Sequence, residues 1–425
     1  MRFLFDVFFM MFSVVYLPYL FLGRRMHKDF KQRFGYLPAE ATSFKKPVWI
    51  HAVSVGEAQV ALELAAKLKK EMKDVPVVVS VTTKTGYALL SQWAGKTVDA
   101  VFYSPIDISW IVARVIRKID PRVYVMIETE IWPNILTALR RNKVPIVLAN
   151  GRISDFSFNN YRTIRFLIKG VFENINVACM QSQKDVERII ALGIPEKRCF
   201  VTGNMKFDMA GGGMGEGISK KDIGFEDGDE VLVAGSTHSP EEKYLTDIYR
   251  EIRVGNKKVK FIVAPRHIER ADSVQEYIEG TGLVVQRFSE IYRNPGLKRR
   301  DLDVVIVDTI GHLKNIYNAA TVIFIGKSLV ENGGGQNPIE AARWGKPVVF
   351  GKYMSNFREI ADLFLENGAA LEVSDKENLA IVLDRLFENG EERSRLGTNA
   401  LKVIERNTGA TARTAEKIKY IVVYA

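Results

Sequence analysis

Acidic side chains stand at two points where a short apolar strand gives way to a helical pattern. Glu57 ends the segment HAVSVGE, and Glu128 and Glu130 lie in the segment IETEIWPN. Acidic residues seldom adjoin a buried strand unless they are paired, so these carboxylates are candidates for a general base. The alternatives are local, because a carboxylate in a first helical turn complements the helix dipole and one member of the pair could be a solvated cap.

Two further segments of the N-terminal half could bind an anion. Lys206 lies in GNMKFD at the rim of the first predicted domain, where its ammonium group could hold a phosphate or a carboxylate. An ordinary surface lysine is the alternative. The small polar loop TTKTG (82–86) precedes a predicted helix, whose amides could also receive an anion, although this signal is weak on its own.

The densest glycine segment lies in the C-terminal half and reads NGGGQNPIEAA (332–342). Its glycines lead directly into a predicted helix, so the free amides of that helix could cradle a phosphate. Glu340 falls in the first helical turn and could accept hydrogen bonds from a ribose, which makes a nucleotide the natural ligand. Neither a Walker A motif nor G-x-G-x-x-G is present, so ATP hydrolysis and NAD chemistry lose support.

The elements that must position these residues alternate between short β-branched runs and helical patterns, which is typical of parallel βαβ units. A glycine-rich stretch near residue 210 separates two such series, so the pattern predicts two Rossmann-like domains in tandem. The predicted strands of the first series are PVWIHAV, VVVSV, AVFY, VYVMI, PIVLAN and NVACM, and those of the second are EVLVAGS, KFIVAPR, LVVQRF, VVIVDT, VIFIGKS and PVVFGK. In open α/β sheets, ligands bind beyond the carboxyl ends of the strands, where the residues above lie.

An apolar stretch at residues 3–22 has the length that a helix needs to cross a bilayer, and Asp6 is its only charge. A cluster of basic residues follows, so the positive-inside rule predicts an N-terminal membrane anchor with the rest of the chain in the cytoplasm. An interfacial helix or hairpin and a buried first helix of the globular fold are the alternatives.

The whole chain has 425 residues, of which 47% are hydrophobic and 26% charged, and this balance favours two folded domains. Its net charge of +10 favours an anionic partner, but no basic–aromatic motif predicts nucleic-acid binding. Cys179 and Cys199 do not form a disulfide framework, and no cysteine or histidine spacing predicts a zinc site. Asp301 and Asp303 precede a strand and are interpreted as a solvated turn.

These segments resemble the bacterial 3-deoxy-D-manno-octulosonic acid (Kdo) transferases of lipopolysaccharide core biosynthesis. The shared motifs recur in family order from about residue 48 to residue 360. They are HAVSVGE, ETEIWPN, NGRIS, TGNMKFD, AGSTH, PRHIER, NPIEAA, GKPVVFG and NFREI.

The resemblance implies an α/β fold of the GT-B class, in which two Rossmann-like domains face each other across a cleft behind an N-terminal anchor helix. It implies an inverting glycosyltransferase that moves Kdo from CMP-Kdo to a lipid A precursor (lipid IVA), with no cofactor or metal. The expected location is the cytoplasmic face of the inner membrane, in contact with its phospholipid. The expected domains are the anchor at 1–24, the acceptor domain at 25–208, a linker at 209–228, the CMP-Kdo domain at 229–410 and a helix at 411–425 that returns to the first domain.

The resemblance also implies residue roles. Glu57 matches the base that deprotonates the acceptor hydroxyl, and Glu128 and Lys206 match positions assigned to transition-state stabilisation. The positions that match the CMP-binding segments are Pro265, Arg266, Ile310, Gly311, His312, Asn337, Pro338, Ile339 and Glu340.

Three positions depart from the family pattern. Gln336 replaces a histidine in the glycine-rich segment, and His312 replaces a glutamate expected to bind the ribose. Lys327 stands where glycine is common and could restore charge lost at Gln336. Two other functions therefore stay open: a GT-B lipid glycosyltransferase that uses a UDP-sugar, and an anchored binding protein without catalytic activity.

Overall fold

The computed structural model of the protein describes Asp6 and residues 29–209, 216–256, 258–294 and 301–424. The chain forms two compact units. The N-terminal unit comprises Met1–Met209 with Asn407–Ala425, and the C-terminal unit comprises Ala210–Arg406. Each unit is built on a seven-stranded parallel sheet, which confirms the two α/β domains predicted from the alternating pattern.

The sheet of the N-terminal unit has the order β3-β2-β1-β4-β5-β6-β7. Its strands are β1 Val48–Ala52, β2 Val77–Val81, β3 Ala100–Tyr103, β4 Val123–Ile127, β5 Ile146–Gly151, β6 Val177–Met180 and β7 Cys199–Val201. The first five strands are buried throughout, since helices cover both faces of a parallel sheet. The strand order reverses between β1 and β4, and this switch point is where such sheets bind ligands.

Ten α-helices are described in this unit. They are α1 Ala39–Thr42, α2 Val55–Glu71, α3 Lys84–Ser91, α4 Ser109–Ile119, α5 Pro133–Arg141, α6 Asp155–Thr163, α7 Arg165–Phe172, α8 Gln183–Leu192, α9 Lys206–Met209 and the C-terminal helix, Ala410–Tyr424. The last of these packs on the first sheet, because Ala415 and Ile418 share an apolar cluster with Val48 and Ile50. Asp208 accepts hydrogen bonds from the Gly409 and Thr411 amides, 2.6 Å each, and fastens the start of that helix.

The C-terminal unit repeats the architecture with the order β10-β11-β9-β8-β12-β13-β14. Its strands are β8 Glu230–Thr237, β9 Val259–Pro265, β10 Val285–Arg287, β11 Val304–Ile306, β12 Val322–Ile325, β13 Val348–Gly351 and β14 Ala370–Val373. Its helices are α10 Glu241–Gly255, α11 Ala271–Glu279, α12 Phe288–Arg293, α13 Leu313–Ile316, α14 Ile339–Ala342, α15 Arg358–Glu366, α16 Lys376–Glu388 and α17 Gly390–Asn407, so the C-terminal helix is α18. The switch point of this sheet lies between β8 and β12.

Side-chain caps fix where several helices begin. Ser54, Thr83, Ser154 and Ser182 each accept a hydrogen bond from a backbone amide in the first turn of the following helix. Such caps satisfy amides that the helix itself leaves without a partner. The Thr83 hydroxyl therefore serves α3, which weakens the expectation that this loop offers it to an anion.

The predicted membrane anchor and the solvated turn at Asp303 are two expectations that the structure does not support. Apart from Asp6, the predicted anchor at 3–22 lies outside the described residues, and among the described helices none has the length and apolarity to span a membrane. The interpretation of Asp303 as part of a solvated turn is wrong. Asp303 is buried, accepts a hydrogen bond from the Val284 amide at 3.0 Å and pairs with Arg253 at 2.5 Å. These contacts tie α10 to the edge of the sheet.

Candidate active site

The candidate residues of the N-terminal unit lie at its switch point. Glu57 follows β1 in the first turn of α2, and Glu128 follows β4 directly. β1 and β4 are hydrogen-bonded neighbours, with Ile50 opposite Val125, so both carboxylates lie at the same edge of the sheet. The parallel register thus brings together two segments that are 71 positions apart in the numbering.

Glu57 completes a capping box with Ser54. Its two carboxylate oxygens accept hydrogen bonds from the Val53 amide at 2.7 Å, the Ser54 amide at 3.1 Å and the Ser54 hydroxyl at 2.7 Å. Glu57 therefore does stabilise the start of α2, which is the alternative role that the sequence leaves open for it. Burial raises the pKa of Glu57, and the nearby Glu128 raises it further, while the bonds from Ser54 and Val53 act in the opposite direction. A buried carboxylate beside another carboxylate binds protons more tightly, which suits a general base.

Glu128 and Lys206 form an ion pair, with 3.0 Å between the Glu128 Oε1 and the Lys206 Nζ atoms. The backbone of Glu128 is in the left-handed region at φ +58°, an uncommon conformation for a residue other than glycine, and its amide donates to the Ala149 carbonyl of the neighbouring strand. Lys206 begins α9, where its amide donates to the Asn204 side chain. The structure thus unites the two residues that the family resemblance pairs.

Glu130 is a third carboxylate at the same place. Burial raises its pKa to about 7, and Glu57 and Glu128 add repulsion. Tyr161 of α6 is also within electrostatic reach, since burial and then Glu130 raise the pKa of the Tyr161 hydroxyl. The sequence singled out Glu130 only as a neighbour of Glu128, because burial produced by distant segments has no local signal.

Segments expected to bind the nucleotide also converge, at the edge of the second sheet. Pro265 ends β9, and the exposed Arg266 donates its amide to the Thr237 carbonyl at 3.0 Å. Burial raises the pKa of Glu340, whereas Lys314, Arg343 and Arg266 oppose that rise. These charges place the segments after β9, β11 and β12 within electrostatic reach of one another.

Between β11 and α13, the segment 310–312 forms a turn in which Gly311 has φ +90° and Ile310 is exposed. His312 lies against two aromatic rings, with centroid distances of 5.3 Å to Phe288 and 4.9 Å to Tyr292. His312 stands where the family resemblance implies a glutamate that binds the ribose, and an imidazole cannot accept hydrogen bonds as that carboxylate would. It does offer a flat surface beside the turn.

The glycine-rich segment packs tightly before α14. A Cβ atom at Gly334 would lie 2.3 Å from the Asn356 side chain, and Gly334 has φ +87°, so both space and backbone require glycine. Asn337 accepts a hydrogen bond from the Ile339 amide at 3.0 Å, with Pro338 between them. The helix predicted after the glycines is present as α14, which has four residues and carries Glu340 in its first turn.

The switch point of the C-terminal unit carries residues to which sequence reasoning gave no role in nucleotide binding. Glu241 is fully buried and accepts hydrogen bonds from four amides at 2.6–3.0 Å, those of His238, Lys327, Ser328 and Leu329. Burial raises its pKa, and the four amides oppose the rise. Glu241 therefore clamps the turn after β8 to the turn after β12.

Basic side chains surround this clamp. The rings of His238 and His267 are 5.2 Å apart, and the pKa of His238 is lowered by burial first and then by Lys327 and His267. Arg270 pairs with Glu242 at 2.7 Å. Within the part of the chain that the structure describes, no group of three or more histidine, cysteine or acidic residues could hold a metal ion. The first site thus gathers three carboxylates around one ammonium group, whereas the second combines buried carboxylates with histidines, Lys327 and Arg270.

Comparisons with known proteins agree with the motifs. The family described as 3-deoxy-D-manno-octulosonic-acid transferase (kdotransferase) matches residues 28–209, and the family of glycosyl transferases group 1 matches residues 303–403. The 3-deoxy-D-manno-octulosonic acid transferase of Haemophilus influenzae is 28% identical over 93% of this chain and 92% of its own length. The 3-deoxy-D-manno-octulosonic acid transferase of Chlamydophila psittaci is 26% identical over 98% of this chain and 96% of its own length.

Two further matches define the limits of the likeness. A bifunctional glycosyltransferase/methyltransferase of Fusobacterium nucleatum is 29% identical over 86% of this chain, which spans 55% of that protein's length. The UDP-GlcNAc 2-epimerase structure from Neisseria meningitidis is 13% identical and covers 88% of this chain and 100% of its own, with a TM-score of 0.55. The epimerase likeness shows the two-domain fold, which is of the GT-B type. From the motifs, the matching families and the relatives of similar length, the chain belongs to the 3-deoxy-D-manno-octulosonic acid transferase family of glycosyltransferases.

Proposed function

We propose that the protein transfers Kdo from CMP-Kdo to a hydroxyl of a lipid A precursor, lipid IVA, with inversion at the anomeric carbon. The observation that carries the proposal is the buried Glu57 at the first switch point, next to the Glu128–Lys206 ion pair. Inversion in one displacement needs one base on the acceptor side, and Glu57 suits that task. Relatives that align along nearly their whole length are named Kdo transferases.

In the proposed reaction, the acceptor oxygen attacks the anomeric carbon of Kdo while Glu57 takes the proton of the hydroxyl. The bond from that carbon to the phosphate oxygen breaks, and CMP leaves with its electron pair. The raised pKa of Glu57 brings its basicity closer to what transfer at neutral pH requires. To act, Glu57 must receive the acceptor hydroxyl beside the three donors that it already binds.

Lys206 and Glu128 would act on the sugar. The carboxylate of Kdo carries a negative charge that the Lys206 ammonium group can hold, while Glu128 fixes the position of Lys206 at 3.0 Å. An oxocarbenium-like transition state gains positive charge, which nearby carboxylates stabilise. The pair therefore addresses both charges of the reacting sugar.

The C-terminal unit would bind the CMP half of the donor. Arg266 and the backbone of the turn 310–312 face the phosphate and the nucleoside in this proposal, together with Asn337, Pro338, Ile339 and Glu340. CMP leaves with a single phosphate, so basic side chains and amides can carry its charge, and the proposal includes no metal or cofactor. The apolar segment at 3–22 would anchor the protein at the cytoplasmic face of the inner membrane, next to its phospholipid.

The test is a transfer assay with protein in detergent, CMP-Kdo generated in situ and a tetra-acylated lipid A precursor, with the lipid product weighed by mass spectrometry. We expect mass gains of whole Kdo units, and their loss in Glu57→Gln. Glu71→Gln is the matched control, because Glu71 ends the same helix and pairs with Lys67 at the surface.

Competition separates the proposed donor from a UDP-sugar. CMP should inhibit transfer at lower concentration than UDP, and a UDP-sugar should leave the lipid mass unchanged. A mass gain with a UDP-sugar would contradict the proposal. Lack of any gain with intact CMP-Kdo would instead favour a binding protein without catalytic activity.

A further inference from the structure

Strand β5 carries a bulge just before it ends. Its pairing with β6 shifts between Leu148 and Gly151, where β5 has one residue more than β6. Asn150 lies in this bulge with φ +55°, a left-handed conformation that asparagine adopts more readily than most residues. Bulges re-aim a side chain out of the regular alternation of a strand and are frequent beside active sites. The backbone therefore gives Asn150 a direction of its own.

The side-chain amide of Asn150 holds the segment that carries Lys206. Asn150 is fully buried, and its Oδ1 atom accepts a hydrogen bond from the Met205 amide at 2.9 Å. Met205 is also fully buried, and the next residue, Lys206, begins α9. The Nδ2 atom of Asn150 is buried and has no hydrogen-bond partner among the described residues. Because the Met205 amide can only donate, the oxygen of Asn150 must face it, and this fixes the orientation of the side chain.

Asparagine meets two demands of this position at once. Glycine would adopt the positive φ but offers no side-chain oxygen to the Met205 amide. Aspartate would accept the same hydrogen bond but would add a negative charge next to the strand end that carries Glu128. The unpartnered Nδ2 atom costs stability, because a buried donor has lost its bond to water. A neutral acceptor is present in spite of that cost, which points to a role for its bond to Met205 beyond packing.

The bond to Met205 belongs to a closed circuit of contacts around the ion pair. The Glu128 amide donates to the Ala149 carbonyl at 2.9 Å, which fixes Glu128 against the bulge. Asn150, the next residue of the bulge, in turn holds Met205. The neighbouring Lys206 then returns to Glu128 through the ion pair at 3.0 Å. Besides the ion pair itself, the side chain of Asn150 is the one side-chain link in this circuit.

The far end of α9 is held by different contacts. Asp208 accepts hydrogen bonds from the Gly409 and Thr411 amides and so ties α9 to the C-terminal helix α18. Asn150 sets the start of the same short helix against the end of β5, which pairs with the strand that carries Glu128. The position of the Lys206 backbone relative to Glu128 therefore depends on Asn150.

We infer that Asn150 is a positioning residue for the transfer reaction, which sets the ammonium group of Lys206 where the reacting sugar requires it. Asn150 touches no substrate in this inference and acts through Met205 and Lys206. The inference rests on the proposed function, in which Lys206 holds the carboxylate of Kdo. A displacement of about 1 Å in a group that orients a substrate can lower a rate by about 100-fold, so the loss of this one bond should be visible in turnover.

The test is a double-mutant cycle in kcat that combines Asn150→Gly with Lys206→Met. Asn150→Gly removes the acceptor oxygen, while glycine adopts the positive φ without strain, so the variant should fold, as urea unfolding verifies. It should lower kcat by about tenfold to 100-fold in the wild-type background and by less than about twofold in Lys206→Met, since the positioned group is then absent. General damage to the fold would lower kcat in both backgrounds alike, so equal losses would overturn the inference.

Lys143, just before β5, provides the matched control for the backbone. Its φ is +57° and it is exposed, so Lys143→Gly makes the same backbone change away from the site. This variant should leave kcat within about twofold of wild type. A loss as large as that of Asn150→Gly would show that the lost oxygen is not the cause, and would contradict the inference.

The acetylation rate of Lys206 by acetic anhydride, followed by mass spectrometry of its peptide, gives a readout that needs no transfer. The Lys206 side chain is mostly buried in its pair with Glu128, and a looser pair leaves the amine more open to the reagent. Asn150→Gly should raise the rate by about threefold or more, whereas Asn150→Asp, which keeps the acceptor oxygen, should stay within about twofold of wild type. An unchanged rate in Asn150→Gly would overturn the inference.

The inference and the proposed function fail in different ways. Faster acetylation in Asn150→Gly, without any Kdo transfer by the wild-type protein, would support the hold on Lys206 and contradict the proposed function. Kdo transfer with equal losses in both backgrounds of the cycle would support that function and overturn the positioning role of Asn150.

Discussion

The two switch points each lie beside the first strand of their sheet, and they differ in the side chains that gather there. At the first, between β1 and β4, Glu57, Glu128 and Glu130 gather around one ammonium group, that of Lys206. At the second, between β8 and β12, histidines and Lys327 surround a single buried clamp. The fold sets where the chemistry lies, whereas the side chains after each strand decide which charge it handles. In the proposed reaction, the acceptor loses a proton and the donor releases a phosphate, and these two steps call for different environments.

Glu57 and Glu241 sharpen this comparison, because each follows the first strand of its sheet and lies in the first turn of a helix. Both are buried, and burial raises the pKa of both. Glu241 binds four amides and holds two loops together, while Glu57 binds two amides and a hydroxyl beside other carboxylates. Burial of a carboxylate at a strand end therefore does not define a base, and the neighbouring charges must be considered.

The largest change in activity is expected at Glu57, and it tests the contrast with Glu241. Glu57→Gln should lower kcat by about 100-fold to 10,000-fold, because it removes the base. The free energy of unfolding should change by less than about 1 kcal/mol, since glutamine can complete a capping box. Glu241→Gln should do the opposite, with a loss of about 2–3 kcal/mol of stability from weakened bonds to four amides. Both values follow from transfer kinetics and urea unfolding, and full activity in Glu57→Gln would contradict the assignment.

The second effect concerns the ion pair. Lys206→Met should lower kcat by roughly 100-fold, because it leaves three carboxylates together and removes the cation that we propose binds the sugar carboxylate. Glu128→Gln should reduce activity as well, and the double variant should lose less than the product of the two single losses. A double-mutant cycle in kcat measures this coupling. Strictly multiplicative losses would mean that Glu128 and Lys206 act separately.

The third effect is a pH dependence at Glu130. Because its pKa is raised from 4.5 to about 7, the folded protein binds a proton that the unfolded chain has lost between these values. Stability therefore falls as pH rises through this window and is level above it with respect to this group. Glu130→Gln should remove about 2–3 kcal/mol of that fall, measured as the difference in unfolding free energy between about pH 5 and about pH 8.

Other groups contribute to the same profile and serve as references. Burial also raises the pKa of Asp107 to about 7, so it adds a fall of the same sign, whereas His51, whose pKa burial lowers to about 4, adds a rise. The test is thus the difference between wild type and Glu130→Gln, in which both contributions cancel. Identical pH profiles for the two proteins would show that Glu130 is ionised in the folded state at low pH.

Twelve of the fourteen described strands could be predicted from the sequence, and two edge strands could not. The predicted strand PVWIHAV contains β1, and every other predicted strand likewise coincides with an observed one. β7 and β14 were not predicted, and both are only partly buried, whereas the other two edge strands, β3 and β10, are largely buried. A strand that needs fewer apolar residues leaves a weaker pattern.

Residues at the candidate site divide in the same way. Glu57 and Glu128 were recognisable because they stand in motifs directly after predicted strands, and Lys206 because it stands in the shared motif TGNMKFD. The role of Glu241 was not, because its bond to the Leu329 amide joins residues 88 positions apart. The raised pKa of Glu130 likewise depends on burial by distant segments. Local sequence predicts which residues reach the edge of a sheet, and long-range contacts decide their environment.

The smallest effect is predicted for Lys327, where the family pattern and the backbone geometry can be compared directly. Its backbone has φ +59°, the left-handed region in which glycine is favoured, which accounts for the glycine common at this position in the family. Its amide is held by Glu241 at 2.6 Å, and its charge lowers the pKa of the neighbouring His238. If this charge replaces the one lost at Gln336, Lys327→Ala should raise the donor KM by about tenfold and leave the acceptor KM within about twofold.

Lys327→Gly separates charge from backbone strain at the same position. It should weaken donor binding as much as Lys327→Ala, yet raise the free energy of unfolding by about 1 kcal/mol relative to that variant, because glycine adopts a positive φ without a steric penalty. Donor and acceptor KM values and urea unfolding of both variants provide the measurement. An equal rise of both KM values would remove Lys327 from the donor site, and the contrast between the two switch points would then rest on His238, His267 and Arg266.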